Sequence, residues 1–342
     1  MASLLSSSLP ADAPPPFAPA CAARLRRMKN EMWSPHPLRP SSVAAVNGSS
    51  WWVSTHGHTQ PHCQTEPVSE VHSYLPVECP ELSISAAARC LQQQGLRRVN
   101  FIGDSVSHQL AFTIACELGL TDITRVGETN VAPGVTLRVL RLPVGLELGF
   151  LWAEPQPQGT AAALDLALRS AISHGHLQEP ALWMVNAGLW HMLCDAECTT
   201  AGAFKQKQAD YRAQLHSLLE VLQTHTQGRG GRIVWRDTTA VHPSRMNKDV
   251  PEHVRHKFAM LTSANVRLLN RDAENVLTRF PAVSVLNHFF AATKDRAGGT
   301  APGDIRHWKA DVLRLLLHLG YLEWCGVLGE RARNHTHHLP VR

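Results

Sequence analysis

The sequence predicts an α/β protein, a mainly parallel sheet with helices on both faces. Three observations lead there. From about residue 96, short β-prone runs and helical runs alternate four or five times, the pattern of a parallel sheet with crossover helices. Of the 342 residues, 44% are hydrophobic and 18% charged, enough apolar area for a sizeable core and too much for a disordered chain. No stretch reaches the roughly 18–20 uninterrupted apolar residues of a membrane span, so no transmembrane segment is expected.

The elements follow in chain order. Val99 to Ile102 is a short β-prone run ended by Gly103. Val106 to Leu118 follows as a helix with Leu110, Ile114 and Leu118 on one face. Val135 to Leu142 and Leu146 to Trp152 read as the strands of a hairpin, Ala161 to Ile172 as an Ala- and Leu-rich helix, and Ala181 to Val185 as a buried strand. A long helix spans about 204–224, where Leu215, Leu218, Leu219 and Leu222 keep the spacing of one buried stripe. Gly228, Gly230 and Gly231 end it. Arg232 to Trp235 is a strand, about 252–277 a helix with Val254, Phe258 and Leu261 on one face, Val283 to Leu286 a strand, and about 305–319 the last helix. In such sheets crossovers are right-handed and ligands bind at the carboxyl edges of the strands.

The α/β domain is expected over 96–328. Before it, 1–45 is a Pro- and Ser-rich leader expected to be disordered, and 46–95 a loop-rich lead-in pinned onto the domain by disulfides; 329–342 is a flexible His-rich tail. The leader is basic only at its end and broken by Pro10 and Pro14 to Pro16, the opposite of a signal peptide's order. The eight cysteines (Cys21, Cys63, Cys79, Cys90, Cys116, Cys194, Cys198, Cys325) contain no C-x-x-C pair, which weakens zinc-ribbon and thioredoxin-like readings. Their even number fits disulfides and a secretory address; buried free thiols are the other reading. Asn47 and Asn334 open N-glycosylation patterns.

The net charge of +5 is spread along the chain, against a nucleic-acid partner. The 20 histidines raise a metal reading through His56, His58 and His62 with Cys63, and through His335, His337 and His338. Neither group has tetrahedral zinc-site spacing, so no metal and no cofactor is expected.

Three segments fall at expected strand ends. In Phe101-Ile102-Gly103-Asp104-Ser105 the serine sits on a strand-to-helix turn, where unpaired N–H groups and the helix dipole favour an exposed Oγ and an oxyanion. Ser105 as a simple N-cap is the alternative. After the strand Ala181 to Val185, Asn186 and Gly188 have N–H donors for the same oxyanion, or form only a turn. Before the last helix, Asp304 and His307 stand three apart, so one turn can hold a base and the carboxylate that orients it; an N-cap with a surface histidine is the alternative. No G-x-S-x-G occurs, which separates this order from nucleophile-elbow hydrolases.

Gly103-Asp104-Ser105 followed by Asp304-Ile305-Arg306-His307 resembles the SGNH/GDSL hydrolase superfamily. The closest resemblance is to its PC-esterase branch, which holds trichome-birefringence-like polysaccharide O-acetyltransferases and related sialate O-acetyltransferases. Phe101 to Ser107 resembles the family's "VGDS-S", Trp183 to Trp190 its "VFNTGHWW", Trp235 to Pro243 its "FRT-SP-H", and Asp304 to Trp308 its "DxxHW". Cys79 and Cys90 precede the serine motif, and Cys116 follows it, broadly where plant members place cysteines. The likeness spans roughly residues 48–325. It departs at Asp237-Thr238-Thr239-Ala240-Val241-His242-Pro243, which lacks the Ser-Pro step, and at Gly303, where members carry a cysteine.

The resemblance implies an SGNH-like three-layer sandwich with Ser105 as nucleophile, His307 as general base and Asp304 as its orienting carboxylate. It implies an oxyanion hole of Ser105, Asn186 and Gly188, and a Golgi or secretory location. The substrates would be an acyl donor and a glycan or other acyl acceptor: an O-acetylesterase if the acceptor is water, an O-acetyltransferase if it is a sugar. Arg236 is a candidate for positioning substrate or a loop, His242 for a second site histidine, and Trp190 and Trp308 for walls of a glycan groove. Asp237 with His242 would make an alternative triad. The competing reading is an inactive fold that binds or scaffolds.

Overall fold

The computed structural model describes residues 18–28, 36–37, 43–46, 63–66, 72–73, 78–120, 127–132, 135–153, 160–177, 179–194, 201–300 and 303–328. The helices are α1 (Ala18–Arg27), α2 (Ile84–Gln93), α3 (Ser105–Glu117), α4 (Ala161–Ser173), α5 (Ala201–Thr226), α6 (Glu252–Lys257), α7 (Ser263–Leu277), α8 (Phe289–Thr293) and α9 (Ala310–Trp324). The strands of the main sheet are β1 (Arg98–Ile102), β2 (Gly127–Ala132), β3 (Val135–Leu142), β4 (Leu146–Ala153), β5 (Leu182–Val185), β6 (Arg232–Arg236) and β7 (Val283–Leu286). Two short antiparallel pairs, 36–37 with 72–73 and 43–46 with 63–66, stand apart from it.

The sheet runs β7-β6-β5-β1-β4-β3-β2. Its five strands from β7 to β4 are parallel, and β3 and β2 add as antiparallel neighbours. Helices α4, α5 and α7 pack on one another, as do α2, α3 and α9. These two groups are the outer layers of a three-layer α/β sandwich. Strands β1 and β5 are buried along their whole length, as strands covered on both faces must be; β5 is accordingly a continuous apolar run, while β1 buries two polar residues that pair with each other, Arg98 Nε donating to Asn100 Oδ1 at 2.9 Å.

Chain order reverses direction beside β1. The chain leaves β1 through α3 to build β2, β3 and β4 on one side, then returns to build β5, β6 and β7 on the other. Loops diverge at such a point and leave a crevice at the carboxyl edge. Register sets what lines it: Ile102 pairs with Val185, and Val185 with Trp235. The residues just beyond these three open the turns that hold Ser105, Gly188 and Thr238.

Local chemistry fixes the helix starts. Ser83, Thr160 and Thr262 accept a backbone N–H from the first turns of α2, α4 and α7, the standard answer to unpaired N-terminal donors. Asp104 does this for α3. Ser105 is therefore the first residue of the helix and not its cap.

The structure differs from the expectations in five places. The leader is not disordered throughout: Ala18 to Arg27 form α1, and Cys21 is bonded to Cys79. The strand β2 appears at the sheet edge. The helix expected over 252–277 is two, because the chain turns at Phe258 to Thr262 and Thr262 caps a new start. The long helix runs further, Ala201 to Thr226. The last helix begins at Ala310, so Ile305 to Lys309 form a turn before it.

A second disulfide joins Cys90 of α2 to Cys325 at the end of α9. Cys116 and Cys194 are also disulfide-bonded, and no described cysteine is free. These bonds fit a secretory or lumenal protein. No described helix is long and apolar enough to cross a membrane, and no described group of His, Cys, Asp or Glu is arranged to hold a metal ion. The tail 329–342, the two glycosylation patterns and all six histidines of the metal reading (His56, His58, His62, His335, His337 and His338) lie outside the described residues.

Candidate active site

Ser105 and His307 are 202 residues apart in sequence and meet at the carboxyl edge of the sheet. Ser105 Oγ lies 2.7 Å from His307 Nε2, and His307 Nδ1 lies 2.5 Å from Asp304 Oδ2. Burial alone would raise the Asp304 carboxyl. The His307 ring with its hydrogen bond, the Arg306 guanidinium and the Arg306 N–H outweigh it and hold Asp304 well below the usual carboxylate range. An ionised Asp304 accepts the Nδ1 proton. That leaves Nε2 as an acceptor, and the Ser105 hydroxyl donates to it. Ser105 and His307 are 6% and 0% exposed, so their contact is shielded from bulk water, which strengthens it; Asp304 is half-buried.

The turn that holds Asp304 is built from its own backbone. Oδ1 accepts the N–H groups of Arg306 (2.9 Å) and His307 (3.1 Å). Gly303 enters the turn at φ 73°, a left-handed conformation that favours glycine. The turn is tied to the serine helix by a residue that sequence reasoning missed. Gln109 is fully buried on α3; its Oε1 accepts the Trp308 N–H (3.3 Å) and its Nε2 donates to the Trp308 carbonyl (3.4 Å). It stands four residues after Ser105 and so shares its helix face, the one signal that could have found it.

The serine turn is equally constrained. Asp104 Oδ1 accepts the N–H groups of Val106 (3.0 Å) and Ser107 (3.3 Å). A Cβ on Gly103 would collide with Ser107 Oγ and come within 3.0 Å of the Asn186 carbonyl, so the strand end admits only glycine. Arg236, 2% exposed, donates to Ser107 Oγ at 2.8 Å and lies 3.6 Å from Asp104. Its head also stands over the Phe289 ring. Of the two roles expected for Arg236, this is the loop-positioning one; a buried, fully engaged guanidinium has nothing left to offer a substrate.

At the end of β5 the structure redirects one expectation. Asn186 does not aim its amide at Ser105: its Nδ2 donates to the Arg236 carbonyl (2.9 Å) and to Thr238 Oγ1 (3.0 Å). Asn186 thus staples β5 to β6. Thr238 also fills the space where a Cβ on Gly188 would be, 2.5 Å away. The backbone N–H groups of Ser105 and Gly188 make no hydrogen bond among the described residues. His191, pushed down to about 3 by burial and Lys207, is neutral and accepts the Ala161 N–H, seating the turn after Gly188 on α4.

Three other expectations change. Trp308 is fully buried, edge-on to the His242 ring at 5.7 Å, and cannot wall a groove. His242 donates its Nε2 proton to the Thr293 carbonyl (3.0 Å), and its N–H to the Ile305 carbonyl (2.8 Å). It is a brace for the Asp304 turn. The alternative Asp237–His242 triad does not form, since Asp237 accepts the N–H groups of Phe289 and Phe290. Trp190 is half-buried, and Arg306 lies between its ring (5.5 Å) and that of Phe258 (5.0 Å). Arg306 is a second residue that sequence reasoning passed over.

The fold thus brings together, at its switch point, a hydroxyl, an imidazole and a carboxylate in the hydrogen-bonded order that nucleophilic chemistry at a serine requires. Neither the protein-family models nor the curated proteins yield a match to this chain.

Proposed function

We propose that the protein is a serine-dependent acyl-transfer enzyme of the SGNH type, an O-acetylesterase or O-acetyltransferase acting on a glycan. The observation that carries this reading is the continuous relay from Ser105 through His307 to Asp304, at 2.7 and 2.5 Å.

Ser105 Oγ attacks the ester carbonyl carbon as its proton passes to His307 Nε2. The carbonyl oxygen becomes an oxyanion, and the N–H groups of Ser105 and Gly188 are the donors left to meet it. Asp304 stabilises the imidazolium. Collapse of the intermediate breaks the ester C–O bond, and the leaving alcohol takes the proton from His307. The acetyl-serine is then attacked by a second hydroxyl, which gives its proton to His307; collapse returns that proton to Ser105 and releases the acetyl group as acetate or a new sugar ester. Asn186 supports the hole indirectly, by holding the strand ends in register. The resemblance to PC-esterases supplies the glycan, and the disulfides agree with the secretory location it implies.

The test is turnover of p-nitrophenyl acetate, then of acetylated oligosaccharides with and without an acceptor. Ser105→Ala is expected to lower kcat by at least roughly a thousandfold. Acceptor-dependent ester formation would decide for a transferase. Equal rates from the wild type and a folded Ser105→Ala variant would refute the reading.

A further inference from the structure

The segment from Pro243 to Phe258 serves the core little. The turn at Pro243–Arg245 and helix α6 contain no buried residue. The segment is nevertheless ordered on itself and placed against the Asp304 turn. Arg255 donates to the Val250 carbonyl at 3.0 Å and to the Lys248 carbonyl, and Asn247 Oδ1 accepts the Asp249 N–H at 3.2 Å. The His242 N–H donates to the Ile305 carbonyl at 2.8 Å. Asn247 Cβ is 3.6 Å from where a Cβ of Gly303 would stand. Phe258 packs under Arg306, next to the proposed base.

The side chains on this ledge are predominantly cationic. Arg245, Lys248, Arg255 and Lys257 oppose Asp249 and Glu252, with His253 and His256 between them. Lys248, Arg255 and Lys257 are exposed, and none of the four cations makes an ion pair among the described residues. Arg245 Nε is buried with no hydrogen-bond partner. Only Met246 and Phe258 of this ledge pack against the core. An ordered ledge that adds so little to the core, borders the relay and carries cations without ion pairs is suited to an anionic ligand, because charges beside a cleft concentrate the opposite charge there.

We infer that this ledge binds acidic sugar units, so that the glycan substrate of the proposed reaction bears carboxylate or sulfate groups along its chain. The inference rests on the acyl-transfer reading and deepens it. The ledge holds neighbouring anionic units while one acetylated or acceptor hydroxyl reaches Ser105. Lys248 and Lys257 offer mobile point charges to carboxylate or sulfate oxygens; Arg245 adds its charge, and Arg255 the N–H groups left over from its two carbonyl bonds.

The experiment measures kcat/KM for an acetylated oligogalacturonide, an acetylated sulfated oligosaccharide and an acetylated neutral xylo-oligosaccharide, with p-nitrophenyl acetate as the uncharged reference. The ledge predicts that at least one anionic ester is preferred over the neutral oligosaccharide by about tenfold or more at low salt. That preference should shrink as ionic strength rises to about 0.5 M, where screening leaves only a few ångströms of reach. Reversing both exposed lysines, K248E with K257E, should cut the ratio of anionic to neutral kcat/KM about tenfold. These side chains make no hydrogen bonds among the described residues, and thermal melting verifies the fold of the variant.

Equal use of all three oligosaccharides, insensitive to salt and to the reversal, with Ser105-dependent turnover of p-nitrophenyl acetate intact, would overturn the inference and leave the acyl-transfer reading standing. Loss of Ser105 dependence on every ester would overturn both.

Discussion

Asp304 is the residue on which the relay's charge balance depends, since its own turn supplies two N–H donors and the Arg306 cation. Asp304→Asn keeps the shape but removes the charge and turns Nδ1 into an acceptor, so kcat should fall by about 10³- to 10⁴-fold in the ester assay; a loss under tenfold would contradict the role. Gln109 works one step away. Gln109→Ala leaves the Trp308 backbone untied from α3 and should lower kcat about 10- to 100-fold with little change in KM, because small displacements of a base cost rate and not binding. A purely structural role would instead show in Tm with kcat retained in the folded fraction. The three members of the relay were legible in the sequence because each lies in a short motif at a strand end. Gln109 and Arg306 were not, because their roles come from tertiary partners, Trp308 for one and the Trp190 and Phe258 rings for the other.

Helix α9 follows the Asp304 turn and carries a buried carboxylate. Glu323 is 1% exposed, 3.5 Å from Arg232, and burial pushes it up to about 7 against the pull of Arg232 and a Ser284 hydrogen bond. A raised carboxyl keeps its proton in the folded chain where the unfolded chain has released it. Stability from this group is therefore complete below its ordinary value of 4.5 and is lost as pH rises towards 7. Glu323→Gln should flatten that dependence by of order 1–3 kcal/mol between about pH 5 and pH 8 in denaturant melts; an unchanged pH dependence would contradict it. At this scale the short β-prone runs revealed the buried strands directly. They did not reveal β2, whose Glu128-Thr129-Asn130 stretch is polar because it forms a sheet edge. Nor did they reveal the break before Ser263: Phe258 and Leu261 continue the helical period, while the helix stops at Phe258 and Thr262 caps a new start. The start of α9 was misplaced for a similar reason, since Ile305 and Trp308 are apolar and buried in the turn that seats the relay.

Across the whole molecule, the switch beside β1 gathers turns from β1, β5 and β6 at one edge, and the segment before α9 closes it. The Cys90–Cys325 bond joins α2, ahead of β1, to the end of α9, spanning nearly the whole α/β unit. Replacing this pair by serines should cost about 2–5 kcal/mol and lower Tm by several degrees; an unchanged Tm would show that packing alone holds the last helix. The alternation of strands and helices made this architecture readable, whereas the pairing of cysteines depends on contacts that composition does not encode. The most direct measurement of the central claim is to trap the acyl-enzyme. Full-length protein is mixed with p-nitrophenyl acetate, quenched in acid, digested and mapped by mass spectrometry. The relay predicts one acetyl group on the peptide containing Ser105, absent in Ser105→Ala and formed far more slowly in His307→Ala. Acetylation spread over lysines alone, or identical maps from wild type and Ser105→Ala, would contradict it.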